Sequence, residues 1–168
     1  GSWGGAIYIR QNTNLTLINS TFRNNTADYT SGGGGAIYIS SDYSREMACV
    51  GINCTFEDNS GISGGAINCY GTVDLKFENT SFINNLAWYS TSTSNDGNGG
   101  GAIQLGFNSA GSDLELNNVS FIGNTAYNDG GAVTFRSQTV NAKMNDVKFI
   151  NNSATNNAGA LYGGSYIS

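Results

Sequence analysis

Gly64-Gly65-Ala66-Ile67-Asn68-Cys69, followed by Phe82-Ile83-Asn84-Asn85, is one period of a pattern that fills the chain. Gly-Gly-Ala followed by Ile or Val starts at Gly4, Gly34, Gly64, Gly100 and Gly130, and a variant, Ala-Gly-Ala-Leu, starts at Ala158. The intervals are 30, 30, 36, 30 and 28 residues. Between successive copies stands a Phe with an Asn three residues on: Phe22/Asn25, Phe56/Asn59, Phe82/Asn85, Phe121/Asn124 and Phe149/Asn152. A period of this length marks a solenoid, whose repeats bury their apolar faces only against their neighbours.

Aligned on these landmarks, each repeat shows three short strands. After Gly-Gly-Ala come Ile7-Tyr8-Ile9, Ile37-Tyr38-Ile39, Ile67-Asn68-Cys69, Ile103-Gln104-Leu105 and Val133-Thr134-Phe135, with apolar residues outside and a polar residue or Tyr in the middle. That alternation predicts one buried and one outward face. A second strand places Leu15/Leu17, Cys49/Gly51, Leu75/Phe77, Leu114/Leu116 and Ala142/Met144 inward, and a third ends on the Phe itself, with Ser20, Cys54, Thr80, Val119 and Val147 on the same side. No segment sustains the three-and-four spacing of a helix. The fold expected is all-β, a parallel β-helix of five to six rungs and roughly 25 Å length at the strand spacing.

The landmarks have structural reasons in this frame. Stacked at the strand spacing, Asn25, Asn59, Asn85, Asn124 and Asn152 can donate and accept amide hydrogen bonds along the axis. Gly-Gly is expected to permit a positive φ at the next corner. The 24 glycines supply corners, and the absence of proline leaves every residue after the first able to donate to a ladder. A net charge of −5 without a Lys/Arg run argues against nucleic acid as a partner. No apolar run is long enough for a membrane-spanning helix.

Gly-Gly-Ala-(Ile/Leu/Val) alternating with Phe-x-x-Asn resembles the repeat of the chlamydial-type polymorphic outer-membrane proteins, autotransporter-like surface adhesins. The resemblance covers nearly the whole chain. It implies a right-handed parallel β-helix, an extracellular or cell-surface location, and a role in adhesion or self-association. The chain opens on Gly-Ser rather than Met, and both ends break mid-rung. Residues 1–168 are therefore expected to form a single β-helix segment of a longer solenoid, or a unit that stacks head to tail. The partners expected are another copy end to end, a host or cell-surface receptor, or glycans. No cofactor is expected.

Candidate chemistry is sparse. Seven Asn-x-Ser/Thr sequons lie at Asn14, Asn19, Asn24, Asn53, Asn79, Asn118 and Asn151. They read as N-glycan acceptors on a secreted rod, or as the turn residues the corners require. Asp146 stands where a fifth in-phase sequon Asn is due, which suits a turn but not a glycan. Cys49, Cys54 and Cys69 map inward and read as buried thiols, with a Cys54–Cys69 bridge as the alternative. With no His and no Cys-x-x-Cys, a zinc site is not expected.

Parallel β-helices also house polysaccharide-cleaving enzymes, whose sites need carboxylates clustered on an outward face. One stretch qualifies: Asp74/Lys76, Asp113/Glu115 and Asn141/Lys143 on successive second strands. Lys76, Glu115 and Lys143 alternate in sign as a solvated ladder would. Asp74 above Asp113 is a like-charge stack, to be screened by the lysines or to hold Ca²⁺. The loop Asn95-Asp96-Gly97-Asn98 offers oxygens but lacks a closing Glu. The expectation is a non-catalytic chain. Tyr8, Tyr38, Tyr70 and Tyr162 on the first sheet, with Trp88 and Tyr89, are the candidate contact surface. The lengthened corners Ser40–Glu46, Leu86–Gly99 and Gly106–Ser112 are further candidates, since insertions in repeat proteins often carry binding.

Overall fold

A computed structural model describes residues 3–28, 33–41, 47–88, 99–107, 111–136 and 140–164. These residues form an all-β solenoid in which every strand pairing is parallel and joins one rung to the next. The first sheet stacks Ile7–Arg10, Ile37–Ser40, Ile67–Tyr70, Ile103–Phe107, Val133–Phe135 and Leu161–Gly163 in that order. Its register pairs the residue after each Gly-Gly-Ala with its counterpart, as in Ile7 with Ile37 and Ile37 with Ile67. Ile103–Phe107 shifts register after Gln104, and Gly106, at φ 80°, takes up the irregularity.

The second and third strands merge into one sheet. In the middle rungs they run continuously as Val73–Ile83 and Ser112–Ile122, rather than as two strands. Elsewhere they are separate, as in Leu15–Ile18 and Thr21–Arg23, or Met47–Ile52 and Thr55–Glu57. The inward columns follow the expected register: Leu15, Cys49, Leu75, Leu114 and Ala142 align, and so do Leu17, Gly51, Phe77, Leu116 and Met144, although Ala142 and Met144, on the last described rung of this sheet, are exposed rather than buried.

Each rung adds a very short strand that period-two reading cannot detect. Ser60–Gly61, Leu86–Ala87, Thr125–Ala126 and Ser153–Ala154 stack in their own sheet, and Thr26 bridges to Ser60. Leu86–Ala87 is thus regular structure at the start of what reads as a long loop. Of the lengthened corners, residues 42–46, 89–98 and 108–110, with Tyr89 and the Asn95–Asn98 stretch, lie outside the described residues.

Phe22, Phe56, Phe82, Phe121 and Phe149 form one column, with centroids 4.8–5.1 Å apart and ring planes within 8° of parallel. That separation is the strand spacing itself, so the backbone ladder sets the ring stack. The inner three rings are fully buried, whereas Phe22 and Phe149, on the outer rungs, are half-buried. Phe77 meets Phe56 and Phe82 edge-on at 87° and 89°. Gly51 makes this possible, because a Cβ there would lie 2.5 Å from the Phe77 ring.

Close approach accounts for the second glycine of each Gly-Gly. A Cβ on Gly65 would sit 1.9 Å from the Gly101 carbonyl oxygen of the next rung. The first glycine has the positive φ in some rungs, at Gly64, Gly100 and Gly130.

Candidate interaction surface

Two columns of asparagine flank the third strand. Inside, Asn25, Asn59, Asn85, Asn124 and Asn152 stack along the axis, and Nδ2 of each of the first four donates to Oδ1 of the next at 2.8–2.9 Å. The same Oδ1 also accepts the backbone N–H of the preceding Asn at 3.0–3.1 Å. Asn59, Asn85, Asn124 and Asn152 spend their second Nδ2 proton on the carbonyl of a Phe one rung back, as Asn85 does on Phe56 at 3.0 Å. The three middle amides are completely buried. Their bonding capacity is saturated, which is the condition for burying a primary amide without loss.

The second column, Asn19, Asn53, Asn79, Asn118 and Asp146, is exposed and left-handed, with φ between 48° and 53°. Asn and Asp tolerate this conformation where other side chains resist it. Asn53 donates to Asn19 at 3.2 Å and Asn118 to Asn79 at 2.8 Å. A third column, two residues after each Phe, repeats the backbone requirement with Asn24, Asp58, Asn84, Gly123 and Asn151. All seven sequon asparagines are exposed, and all but Asn14 adopt positive φ. Asn14 instead accepts the Ala48 N–H.

The outward carboxylates are engaged by the coil. Lys76 pairs with Glu115 at 3.0 Å, and Lys143 stands in register beyond it. Asp74 and Asp113 are engaged by neutral donors: the backbone N–H of Asp113 donates to the Asp74 carboxylate at 2.7 Å, and Asn141 donates to Asp113 at 2.9 Å. No group of three or more metal-ligating His, Cys, Asp or Glu side chains occurs among the described residues.

The first-sheet tyrosines do not share one exposed face. Tyr8 is exposed and Tyr162 half-buried, but Tyr38 is buried, with the Trp3 ring 5.0 Å away and Tyr8 5.4 Å away. Burial, and after it the neighbouring Tyr8, pushes the Tyr38 phenol well above its ordinary value. Asn68, Gln104 and Thr134, at the same position of later rungs, are also buried. Gln104 donates to Asn68, the Gly99 N–H donates to Gln104, and Thr134 donates to the Asp129 carbonyl. The turn that precedes Gly-Gly-Ala therefore covers this nominally outward row. Tyr70 and Trp88 are half-buried.

Cys49, Cys54 and Cys69 are buried free thiols, so the Cys54–Cys69 bridge is not formed. Burial, with a smaller contribution from Cys54, pushes Cys49 up to about 12, and burial raises Cys69 as well. Cys54 donates weakly to the Ile52 and Leu17 carbonyls.

The Chlamydia polymorphic membrane protein repeat matches residues 19–40, 53–70, 118–135 and 146–164. The chain carries four polymorphic membrane protein repeats. Each matched copy starts on the exposed left-handed residue, at Asn19, Asn53, Asn118 or Asp146, and continues through the Phe, the inner Asn and the next first-sheet strand. The family repeat thus covers the half of the rung where backbone constraints are densest. The chain is 38% identical over 143 residues to a probable outer membrane protein, pmp6, of Chlamydia pneumoniae, covering 77% of this chain and 11% of that protein. It is 33% identical over 136 residues to a probable autotransporter, YfaL, of Escherichia coli K12, covering 74% of this chain and 10% of that protein. The chain spans about a tenth of the length of these relatives. Their descriptions agree with an extracellular or cell-surface location. No solved structure matches the chain significantly.

Proposed function

We propose that this chain is a non-catalytic structural and adhesive segment of a surface-exposed β-helical stalk. The observation that carries this reading is the uniform polarity of the inner ladder, in which each Asn from Asn25 to Asn124 donates to the rung that follows. Such a coil extends by repetition, and its rigid outer columns present a partner with a fixed surface. The carboxylates that a lyase or hydrolase would need are occupied by backbone N–H, amide and ammonium donors. Beads coated with the folded chain test the proposal on cultured cells. Retention by the folded chain, and not by heat-unfolded chain, is expected. Equal retention of both, or cleavage of acidic polysaccharides in the presence of Ca²⁺, would overturn it.

A further inference from the structure

The outer corner between the second and third strands is grooved in the later rungs, with an open volume of about 200 Å³. Two columns line it: Asn79, Asn118 and Asp146, and, two residues further along each rung, Ser81, Ser120 and Lys148. Val119, itself buried, lies between them. Along the first two rungs both columns are bonded, Asn118 to Asn79 at 2.8 Å and the Ser81 and Ser120 hydroxyls 3.0 Å apart. On the third rung both patterns break together. A carboxylate replaces the amide and an ammonium replaces the hydroxyl. Neither Asp146 nor Lys148 has an ion-pair partner among the described residues, where Arg23–Glu57 and Lys76–Glu115 do pair.

The lining selects a chemical class by exclusion. An anion meets Asp146, a cation meets Lys148, and an apolar ligand finds a mostly polar wall in which Val119 is the one apolar residue. What matches amides, hydroxyls, one full acceptor and one full donor side by side is a ligand whose groups each donate and accept, a row of neutral hydroxyls. Charged partners make the stronger hydrogen bonds in such a set. Strand pairing on both sides of the left-handed corner fixes the backbone of all three rungs, and the Asn79–Asn118 and Ser81–Ser120 bonds hold four of the six side chains, which limits the ordering needed on binding.

We infer that this groove binds a neutral saccharide lying along the solenoid axis over Asn79, Asn118 and Asp146. Asp146 accepts from one ring hydroxyl and Lys148 donates to its neighbour. The inference deepens the adhesive part of the proposed function and rests on it.

The test uses the 168-residue chain on a printed array of neutral and acidic oligosaccharides, with the strongest neutral hit then titrated by calorimetry. Asp146→Asn and Lys148→Ser, made singly, each restore the residue of their own column, and an unchanged thermal melt confirms that the coil is intact. The expected result is single-site binding of a neutral glycan, weakened about tenfold or more by either variant, as loss of a charged hydrogen bond implies. Binding unchanged in both variants, binding confined to acidic glycans, or no glycan binding would overturn the inference. If the coated beads still attach to cells while no glycan binds, only the groove assignment is lost. If the beads themselves fail to attach, the adhesive reading falls with it.

Discussion

Two columns of asparagine run along one coil six residues apart, Asn25 to Asn152 inside and Asn19 to Asp146 outside, and they use different properties of the same side chain. The inner column uses the amide. Asn59, Asn85 and Asn124 are fully buried, and every donor and acceptor they carry is taken. The outer column uses the short polar side chain's tolerance of positive φ, and its amides face solvent. The residues admitted show the difference: the inner column is Asn in five rungs, while the left-handed columns also accept Asp58, Asp146 and Gly123. A repeated residue in a solenoid therefore reports a backbone need, a bonding need or both, and burial separates them.

The largest effect should come from the ring column beside the inner ladder. Phe82→Ala removes a ring held 4.8 Å from Phe56 and 5.0 Å from Phe121, whose spacing the strands fix. The neighbours cannot close the gap, so the cost is about 3–5 kcal/mol in urea unfolding. A loss below about 1 kcal/mol would mean that the coil collapses around the cavity and that the strands do not set the ring spacing.

Alkali probes the same interior. Cys49 rises from its ordinary 9.0 to about 12, and Cys69 and Tyr38 are raised by burial too. The folded state holds these protons more tightly than the unfolded chain. Stability is therefore full below about pH 9 and falls as pH rises toward 12, by about 1.4 kcal/mol per pH unit for each group that ionises only on unfolding. Melts across that range should show the decline, and Cys49→Ala should flatten it. A midpoint constant to pH 11 would show that the thiols and phenol are open to water.

Asn85→Ala comes next. It strands the Asn59 N–H and amide, which lose the Asn85 Oδ1, and the Phe56 carbonyl, which loses a donor. The expected cost is about 1–3 kcal/mol, smaller than that of Phe82→Ala. The reverse ranking in denaturation would mean that amide bonding outweighs ring burial in holding the coil together. Smallest is Asp74→Asn with Asp113→Asn. An amide oxygen at position 74 can still accept the residue-113 N–H, and like-charge repulsion is removed, so stability should stay within about 0.5 kcal/mol or rise slightly. A larger loss would show that the two carboxylates hold a cation.

The parallel coil, its register and its inward columns were legible because Gly-Gly-Ala and Phe-x-x-Asn fix the frame twice per rung. The short fourth strand was not, since two residues carry no alternation. Its trace is a further column of small residues, Ala27, Gly61, Ala87, Ala126 and Ala154, four of them buried. Burial of Tyr38, Asn68, Gln104 and Thr134 was hidden for another reason. Alternation assigns a side of the sheet, not whether the chain folds back over that side, and here the turn before Gly-Gly-Ala does so. The groove at Asp146 and Lys148 was half legible: the Asp stood out as a break in the Asn column, while Lys148 stood out as a second break only once Ser81 and Ser120 were in register.

The central claim, that the two asparagine columns differ in kind, is tested most directly by glycine at equivalent positions of one rung. Glycine accepts positive φ at no steric cost but carries no amide. Asn79→Gly should keep the thermal midpoint within about a degree of the parent. Asn85→Gly should lower it by several degrees, about 2–4 °C for each kcal/mol lost at this chain length. Equal losses from the two substitutions, or a larger loss from Asn79→Gly, would contradict the account.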